Sequence, residues 1–390
     1  MSDSNRIQVS YLRETTWGTT PSSAFTELLL TGGGFTHDLE TVESQQVRSD
    51  AQSAGFKRTG TDASASLQVE WSAGAFDELL RGALRSDADW STNPDLSATD
   101  VTVALVGSTY TTTGDIDFST NITKGQWVYI AGFTETANNG WKRCTSVSST
   151  VLTVAQSLAN EASGDSVTFN SSQIVNGTTQ SSYSLQAEYL DLTNRLNIIT
   201  GARVGSWSMD VSPGAILTGE FEFSGKDIAQ AAAKAGDGTV TAAAGNSVMS
   251  EVDAVNNIFI DDVATTADVT NFSLALNSNP RSNRALGNLA NVAIGQGKTS
   301  VTGGLEMYLD DTSWAEQGNL FNFTKFQVAI DFDDGTNRYL VELPQCVYTS
   351  ESGELPAVDS DKTLSFQFGC EPGGSFGSGS STKTIQICKV

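Results

Sequence analysis

The chain has 390 residues, enough for a large core or for one folding unit carrying a second, and two folding units are expected. Its 22 Lys and Arg against 45 Asp and Glu leave a formal net charge of −23 without a cluster of cations, which argues against binding to phosphate backbones. Hydrophobic residues make up 38% and Gly numbers 36, and with Ser and Thr abundant this suits short strands joined by turns better than helices.

The opening, "MSDSNRIQVSYLRETTWGTT", has no positive segment followed by an apolar one, so no signal peptide is expected. No apolar run approaches the roughly 18 residues of a membrane helix. The expectation is a protein that is soluble and intracellular at synthesis, with no membrane partner. The four cysteines, Cys144, Cys346, Cys370 and Cys388, form no CxxC pattern and read as free buried thiols.

Residues 40–60, "ETVESQQVRSDAQSAGFKRTG", lie between strand-like segments and hold few large apolar side chains: Val42, Val47 and Phe56. They also hold Arg48, Asp50, Lys57 and Arg58. Such a stretch can be a spacer, an active-site lid, or a surface that orders against another copy. From residue 64 onward, period-2 alternation sets the fold class. In "SASLQVEW" Ala65, Leu67, Val69 and Trp71 are apolar while Ser64, Ser66, Gln68 and Glu70 are polar. "SAGAFDELLRGAL" then places Phe76, Leu79, Leu80, Ala83 and Leu84 at helical spacing, with Ser72 as the expected N-cap.

Residues 98 to about 178 give five or six short strands, with "NNG" (Asn138, Asn139, Gly140) as a hairpin turn. They read as a small barrel or sandwich inserted in a surface loop, since element ends accept insertions cheaply. Alternation returns in "SWSMDVS" and "LTGEFEF", where Glu220 and Glu222 lie opposite Phe221 and Phe223 in phase, and again in "VTGGLEMYL" with Glu306. "KDIAQAAAKA", 226–235, and "TSWAEQGNLF", near Trp314 and Leu320, are further helix candidates. The fold expected is all-β, a β-sandwich or open barrel with one or two short packing helices and an inserted small β domain. The divisions are 1–97, 98–178 and 179–390, the last ending in a C-terminal arm. "RTGTDASASLQVEW" followed by "SAGAFDELL" echoes "KTSVTGGLEMYL" followed by "DDTSWAEQGNLF", which suggests two related halves beginning near residues 5 and 255.

Little chemistry is visible. The single histidine, His37, cannot build a multi-histidine metal site and has no serine elbow beside it. "DFDDGTN", Asp331 to Asn337, lacks the ligand spacing of an EF-hand loop and reads as an Asp-Gly hairpin turn; "YLDD" reads as a strand end and helix cap. "TGGGF" and "PGGSFGSGSS" lack the residues of a phosphate loop, and the second reads as a flexible link. No catalytic residue, metal ligand or cofactor is expected. A carbohydrate-binding or adhesin-like β-sandwich, motivated by seven Trp and eight Tyr, and a glycosidase using an acidic pair are the alternatives to a structural assembly protein.

Four elements in order carry a resemblance: "YLRETTWGTTP", the "VRSD" of the polar stretch, "GAFDELL", and "ITGARVGSWSM" followed by "PGAILTGEFEFSGK". Over about residues 5–92 and 180–370 the chain resembles the major tail tube proteins of siphophages, whose tails are long and non-contractile. The resemblance implies a virion protein, assembled in the host cytoplasm, that forms homohexameric rings. These would stack into a hollow tube around a tape-measure protein, with tail terminator and distal tail proteins at its ends and DNA in transit through it. Short members of that family lack a segment like 98–178, so this part is expected to be an outward decoration. In that frame Glu70, Glu220, Glu222 and Glu306 are candidates to face the lumen, and Arg48, Asp50, Lys57 and Arg58 to meet a neighbouring subunit or ring.

Overall fold

The computed structural model describes residues 6–87, 89–90, 96–353, 361–376 and 381–390. Antiparallel strands dominate it, as the alternation predicts. Eight of them form one continuous sheet in the order Gly32–Glu43, Phe56–Glu70, Thr218–Gly225, Leu196–Val211, Val269–Asn277, Ser300–Tyr308, Thr363–Cys370, Arg338–Ser352. Each pair keeps apolar side chains opposite one another on a single face, because directly opposed residues share a side of the pleat.

Two long strands carry the chain from this sheet into a second layer, each through a bulge, a usual device for switching layers. Leu196–Val211 has its bulge between Val204 and Ser206, and its first half pairs with Tyr183–Tyr189. That strand pairs with Ile7–Arg13, which pairs with Phe25–Leu28. Arg338–Ser352 has its bulge between Tyr348 and Ser350, and its first half pairs with Lys325–Asp333. That strand pairs with Val255–Ile260, which pairs with Val263–Ala264.

The two halves of the chain thus repeat one pairing order. Even the irregularities match: the bulge between Tyr183 and Leu185 has its counterpart between Phe326 and Val328. The echo heard between residues 58–80 and 298–321 belongs to this repeat, with Leu67 and Leu305 at the same place in the two units.

One core runs between the layers. Leu67, Trp71, Trp207, Phe221, Phe272 and Phe366 meet Tyr183, Ile199, Val328, Ile330 and Val341, all of them buried. Trp207 stacks on Phe221 and Phe326 on Tyr348, with ring centroids 6.5 and 4.1 Å apart. Burying each such side chain contributes about 1.5–3 kcal/mol, so this cluster is where the fold's stability is concentrated.

The helix Asp77–Leu84 lies in that core with Leu79, Leu80, Ala83 and Leu84 buried. Its N-cap is Phe76, not Ser72, and no side chain caps it. Ser72 instead forms a bridge to Val248, and Gly74 at φ +75° turns the chain before the helix begins. The helix Asp311–Phe321 is capped as "YLDD" suggests: Asp310 accepts from Ser313 N at 2.7 Å, and the Ser313 hydroxyl accepts from Asp310 N at 2.8 Å.

The alanine-rich 226–235 is not helical. Asp227–Ala231 is a strand continuing the hairpin of Thr218–Gly225 and pairing with Leu196–Thr200. An open strand edge supplied partners for its backbone, and tertiary pairing overrode alanine's helix propensity. "DFDDGTN" is the expected hairpin turn: Asp333 pairs with Arg338, Gly335 sits at φ +87°, and the Asp334 carboxylate accepts from Thr336 N at 2.9 Å and Asn337 N at 2.6 Å. "NNG" closes the expected hairpin: Asn138 ends a short 3-10 turn, Thr136–Asn138, and Gly140 at φ +86° opens the next strand. Of "PGGSFGSGSS", residues 377–380 lie outside the described residues.

Between Leu96 and Asn170 a separate seven-stranded sheet has its own core around Tyr110, Phe118, Val128, Ile130, Leu152 and Phe169. Its Trp127 and Trp141 pack on Phe259, Ala329, Leu340 and Cys388. In Lys325–Asp333 the side chains of Val328, Ile330 and Phe332 enter the main core, so Ala329 and Asp331 point the other way. The inserted sheet therefore covers the back of the second layer, with the core between it and the eight-strand sheet.

Candidate functional site

The opposite face of the eight-strand sheet is where chemistry can act on the surroundings. Period-2 alternation puts Ser64, Ser66, Gln68 and Glu70 on it, and the cross-strand registers add Thr218, Glu220, Glu222, Ser206, Ser208 and Asp210. Beyond the junction between halves it continues through Ser273, Ala275, Thr302, Gly304, Glu306, Ser365 and Gln367. The residues are small and polar, and none of these positions holds a Lys or Arg. Five are carboxylates. The centre is concave, a hollow of about 520 Å³ lined by Gln68, Asp210, Glu220, Ser273, Thr302 and Gln367 among others.

All four expected acidic residues, Glu70, Glu220, Glu222 and Glu306, share this face. Hydroxyls hold two of them in place: Ser66 donates to Glu220 and Ser206 to Glu222. Asp210, which alternation alone also assigns to this face, accepts from Asn271 Nδ2 at 3.2 Å. Asp38, at the sheet's outer strand, shares the face too, through its register with Asp62. Among the described residues no cation pairs with Glu70, Asp210, Glu220, Glu222 or Glu306, whereas at the outer strand Arg284 pairs with Asp62 and Glu40. Over the centre of the face a mobile polyanion within a Debye length of about 8 Å meets like charge.

The sheet ends in two strand edges that pair with nothing among the described residues. One is the outer side of Gly32–Glu43, exposed along nearly its whole length. The other is the end of Arg338–Ser352, where Tyr348–Ser352 runs past its partner Lys325–Asp333, whose pairing stops at Val347. Long open edges are usually suppressed in monomers and used where copies join.

The polar stretch is the far end of the first hairpin. Glu40–Glu43 and Phe56–Gly60 are paired strand, so only 44–55 is tip. Arg48 and Asp50 come together in a two-pronged ion pair, Nε to Oδ1 at 2.9 Å and Nη2 to Oδ2 at 2.7 Å. The guanidinium lowers the Asp50 carboxyl below the ordinary carboxylate range. Lys57 and Arg58 stand apart on the strand, opposite Val42 and Thr41, and form no ion pair among the described residues. His37 lies on the same hairpin with Nε2 2.7 Å from the Thr61 hydroxyl.

Sequence reading passed over Glu14, the anchor of "YLRETTWGTTP". Its buried carboxylate accepts from the backbone N–H of Gly18 at 2.7 Å and Gly201 at 2.8 Å, and from the hydroxyls of Ser182 and Ser184 at 2.8 Å. Trp17 donates to Gly201 O at 3.1 Å. The motif ties the first strand to the long Leu196–Val211 strand, and no pattern in the sequence marks Glu14 as its anchor.

The subunit is β-rich and presents an acidic face and, among the described residues, two unpaired strand edges. A family model for phage tail tube proteins matches residues 4–371, nearly the whole chain, and the chain belongs to that family. It is a structural protein of the phage tail tube, placed in the virion tail. No curated protein matches it. No helix among the described residues is long and apolar enough to cross a membrane.

Proposed function

We propose that the chain is the major tube subunit of a long non-contractile tail, and that its acidic face lines the bore. Copies join into rings with six positions around the axis, and rings stack into a conduit. A tape-measure protein fills the conduit during assembly in the host cytoplasm, tail terminator and distal tail proteins close its ends, and DNA passes through on ejection without specific binding. The observation that carries this reading is the single face bearing Glu70, Asp210, Glu220, Glu222 and Glu306 with no cation among them. Small residues and like charge give a wall on which a phosphate backbone finds no partner.

The division proposed at 98 and 178 serves the same reading, although Leu96 already belongs to the inserted sheet and Ser172–Val175 pairs with Gln386–Lys389 of the main fold. The inserted sheet packs behind the second layer, on the side away from the acidic face, which supports reading it as an outward decoration. Negative-stain microscopy of the purified protein tests the reading: rings or tubes roughly 100 Å across are expected from subunits of this size around such a bore. Persistent monomers at high concentration would overturn it.

A further inference from the structure

The junction between the two halves is a template for the junction between two chains. Within one chain, Ser206–Val211 of the first half pairs antiparallel with Phe272–Asn277 of the second: Ser206 opposite Asn277, Trp207 opposite Leu276, Ser208 opposite Ala275. The matching registers and bulges of the repeat assign counterparts to Ser206, Trp207 and Ser208 and to the residues opposite them. Ser206, opposite Glu222 and just past its bulge, corresponds to Ser350, opposite Gln367 and just past its own. Asn277, opposite Ser300, corresponds to Asp38, opposite Asp62. The counterparts of the two joined edges are therefore the two open ones, Tyr348–Ser352 and Gly32–Glu43.

We infer that chains join by repeating this internal junction, Ser350 of one copy opposite Asp38 of the next, Glu351 opposite His37, and Ser352 opposite Thr36. The inference deepens the ring proposed above and rests on it. No like charges meet in this register, and the Glu351 carboxylate faces the only imidazole in the chain. Both edges are consumed, leaving one closed barrel, the one arrangement that removes edges altogether.

The polar hairpin takes its place in the same scheme. Its internal counterpart, Pro280–Asn283 with Ala293–Gln296, folds back across the junction onto the first half. There Gln296 Nε2 donates to Val204 O at 2.7 Å, Asn291 Nδ2 to Gly225 O at 3.2 Å, and Arg284 pairs with Asp62 at 2.6 Å. Ile294 is the apolar anchor, 0% exposed. The registers Glu43 opposite Phe56 and Ser282 opposite Ile294 make Phe56 the equivalent of Ile294, yet Phe56 is 67% exposed. Phe56 docks on the next copy's second half, at the surface around Thr349 and Cys370 that corresponds to Gly205 and Gly225.

The ring therefore counts half-chains. Six positions are filled by three chains rather than six, and eight strands from each of the three give a barrel of 24. Strands spaced about 4.8 Å apart and tilted about 40° close such a barrel at about 50 Å between opposite backbones. Six chains would double that width.

The test is oxidation of the full chain carrying His37→Cys and Glu351→Cys, followed by non-reducing electrophoresis and mass measurement of rings under native conditions. Chain-to-chain cross-links ending at the trimer, and rings of about 124 kDa from three chains of 41.2 kDa, are expected. The offset pair His37→Cys with Ser352→Cys, whose side chains lie on opposite faces, should stay uncross-linked. Phe56→Asp should leave a folded monomer by circular dichroism and abolish rings. Tubes that form from the unsubstituted protein while the 37/351 pair stays uncross-linked, or rings that contain six chains, would overturn the junction and leave the tube reading standing. Absence of any ring or tube from the unsubstituted protein would overturn the tube reading itself.

Discussion

Trp141 of the inserted sheet donates its indole N–H to the Asp331 carboxylate at 2.7 Å, a buried bond between the insert and the second layer. Arg143 beside it pairs with Asp262 and stands 3.8 Å from Glu342, while Arg338 lies 4.2 Å over the Tyr129 ring. Trp141→Ala removes a large buried ring and one of the donors to Asp331, a loss of about 3–5 kcal/mol. Because the insert has a separate core, that loss should fall on docking. Calorimetry should show an early transition, and limited proteolysis should release the insert, while tubes still assemble.

Stability should fall as pH rises from 5 to 8, for a reason located in the same contact. Burial pushes the Asp331 carboxyl up to about 6 against the opposing effects of Trp141 and Arg338, with Asp333 adding to the rise. Burial also pushes Glu342 up to about 7, with Arg143 opposing and Asp262 adding. Both groups hold a proton more tightly folded than unfolded. Their contribution is full below the ordinary values of 3.8 and 4.5 and is lost as pH rises through about 6 and about 7. The melting temperature should therefore decline between pH 5 and 8, and Glu342→Gln should flatten the upper part of that decline. A melting temperature that climbs over this range would refute the assignment.

Alternation made the strands legible, because one face of each is wet. Ala65, Leu67, Val69 and Trp71 could be assigned inward, and Glu70, Glu220, Glu222 and Glu306 to a common wet face, without knowing a single partner strand. What alternation cannot carry is pairing. The edge position of Gly32–Glu43 and the strand at Asp227–Ala231 depend on what lies beside them, and residues 226–235 look helical until Leu196–Thr200 takes up their backbone. The repeat was audible at Leu67 and Leu305 but not as a junction, since its meaning lies in the register of Ser206 with Asn277, far apart in the chain. Phe56 looked like a stray apolar residue in a polar stretch; only its counterpart Ile294, buried in the same place, gives it a role.

Reversing charge on the acidic face should make it hold DNA. Glu220 and Glu222 lie on the wet face of one strand, opposite Ser208 and Ser206. Glu220→Lys with Glu222→Lys changes the formal charge of each chain by +4, and every chain around a bore would present two cations where two anions stood. Assembly should persist, since neither residue enters the core. Purified tubes of the variant should retain labelled duplex DNA in a sedimentation assay at low salt and release it as salt rises, with a steep slope in log concentration. Unsubstituted tubes should retain none at any salt, and equal retention by the two would remove this face from the bore.

The hairpin tip should act on assembly rather than on folding. Arg48 and Asp50 are both exposed and, among the described residues, form no ion pair except with each other, and Lys57 extends from an edge hairpin opposite Val42. Arg48→Glu with Lys57→Glu therefore disturbs no buried contact, and the monomer should keep its stability to within about 0.5 kcal/mol. Between copies the situation differs, because each chain carries a net charge of −23 and the hairpin is one of few places where it offers cations to a neighbour. In the variant a second carboxylate would stand beside Asp50, and the tip would approach an acidic surface as an anion. Tubes should fail to form at low salt and recover in part at high salt, where screening shortens the repulsion. Alanine at both positions, which removes attraction without adding repulsion, should slow assembly without abolishing it. Light scattering that rises alike for all three proteins would reduce the tip to a spacer and leave Phe56 alone as the hairpin's contact.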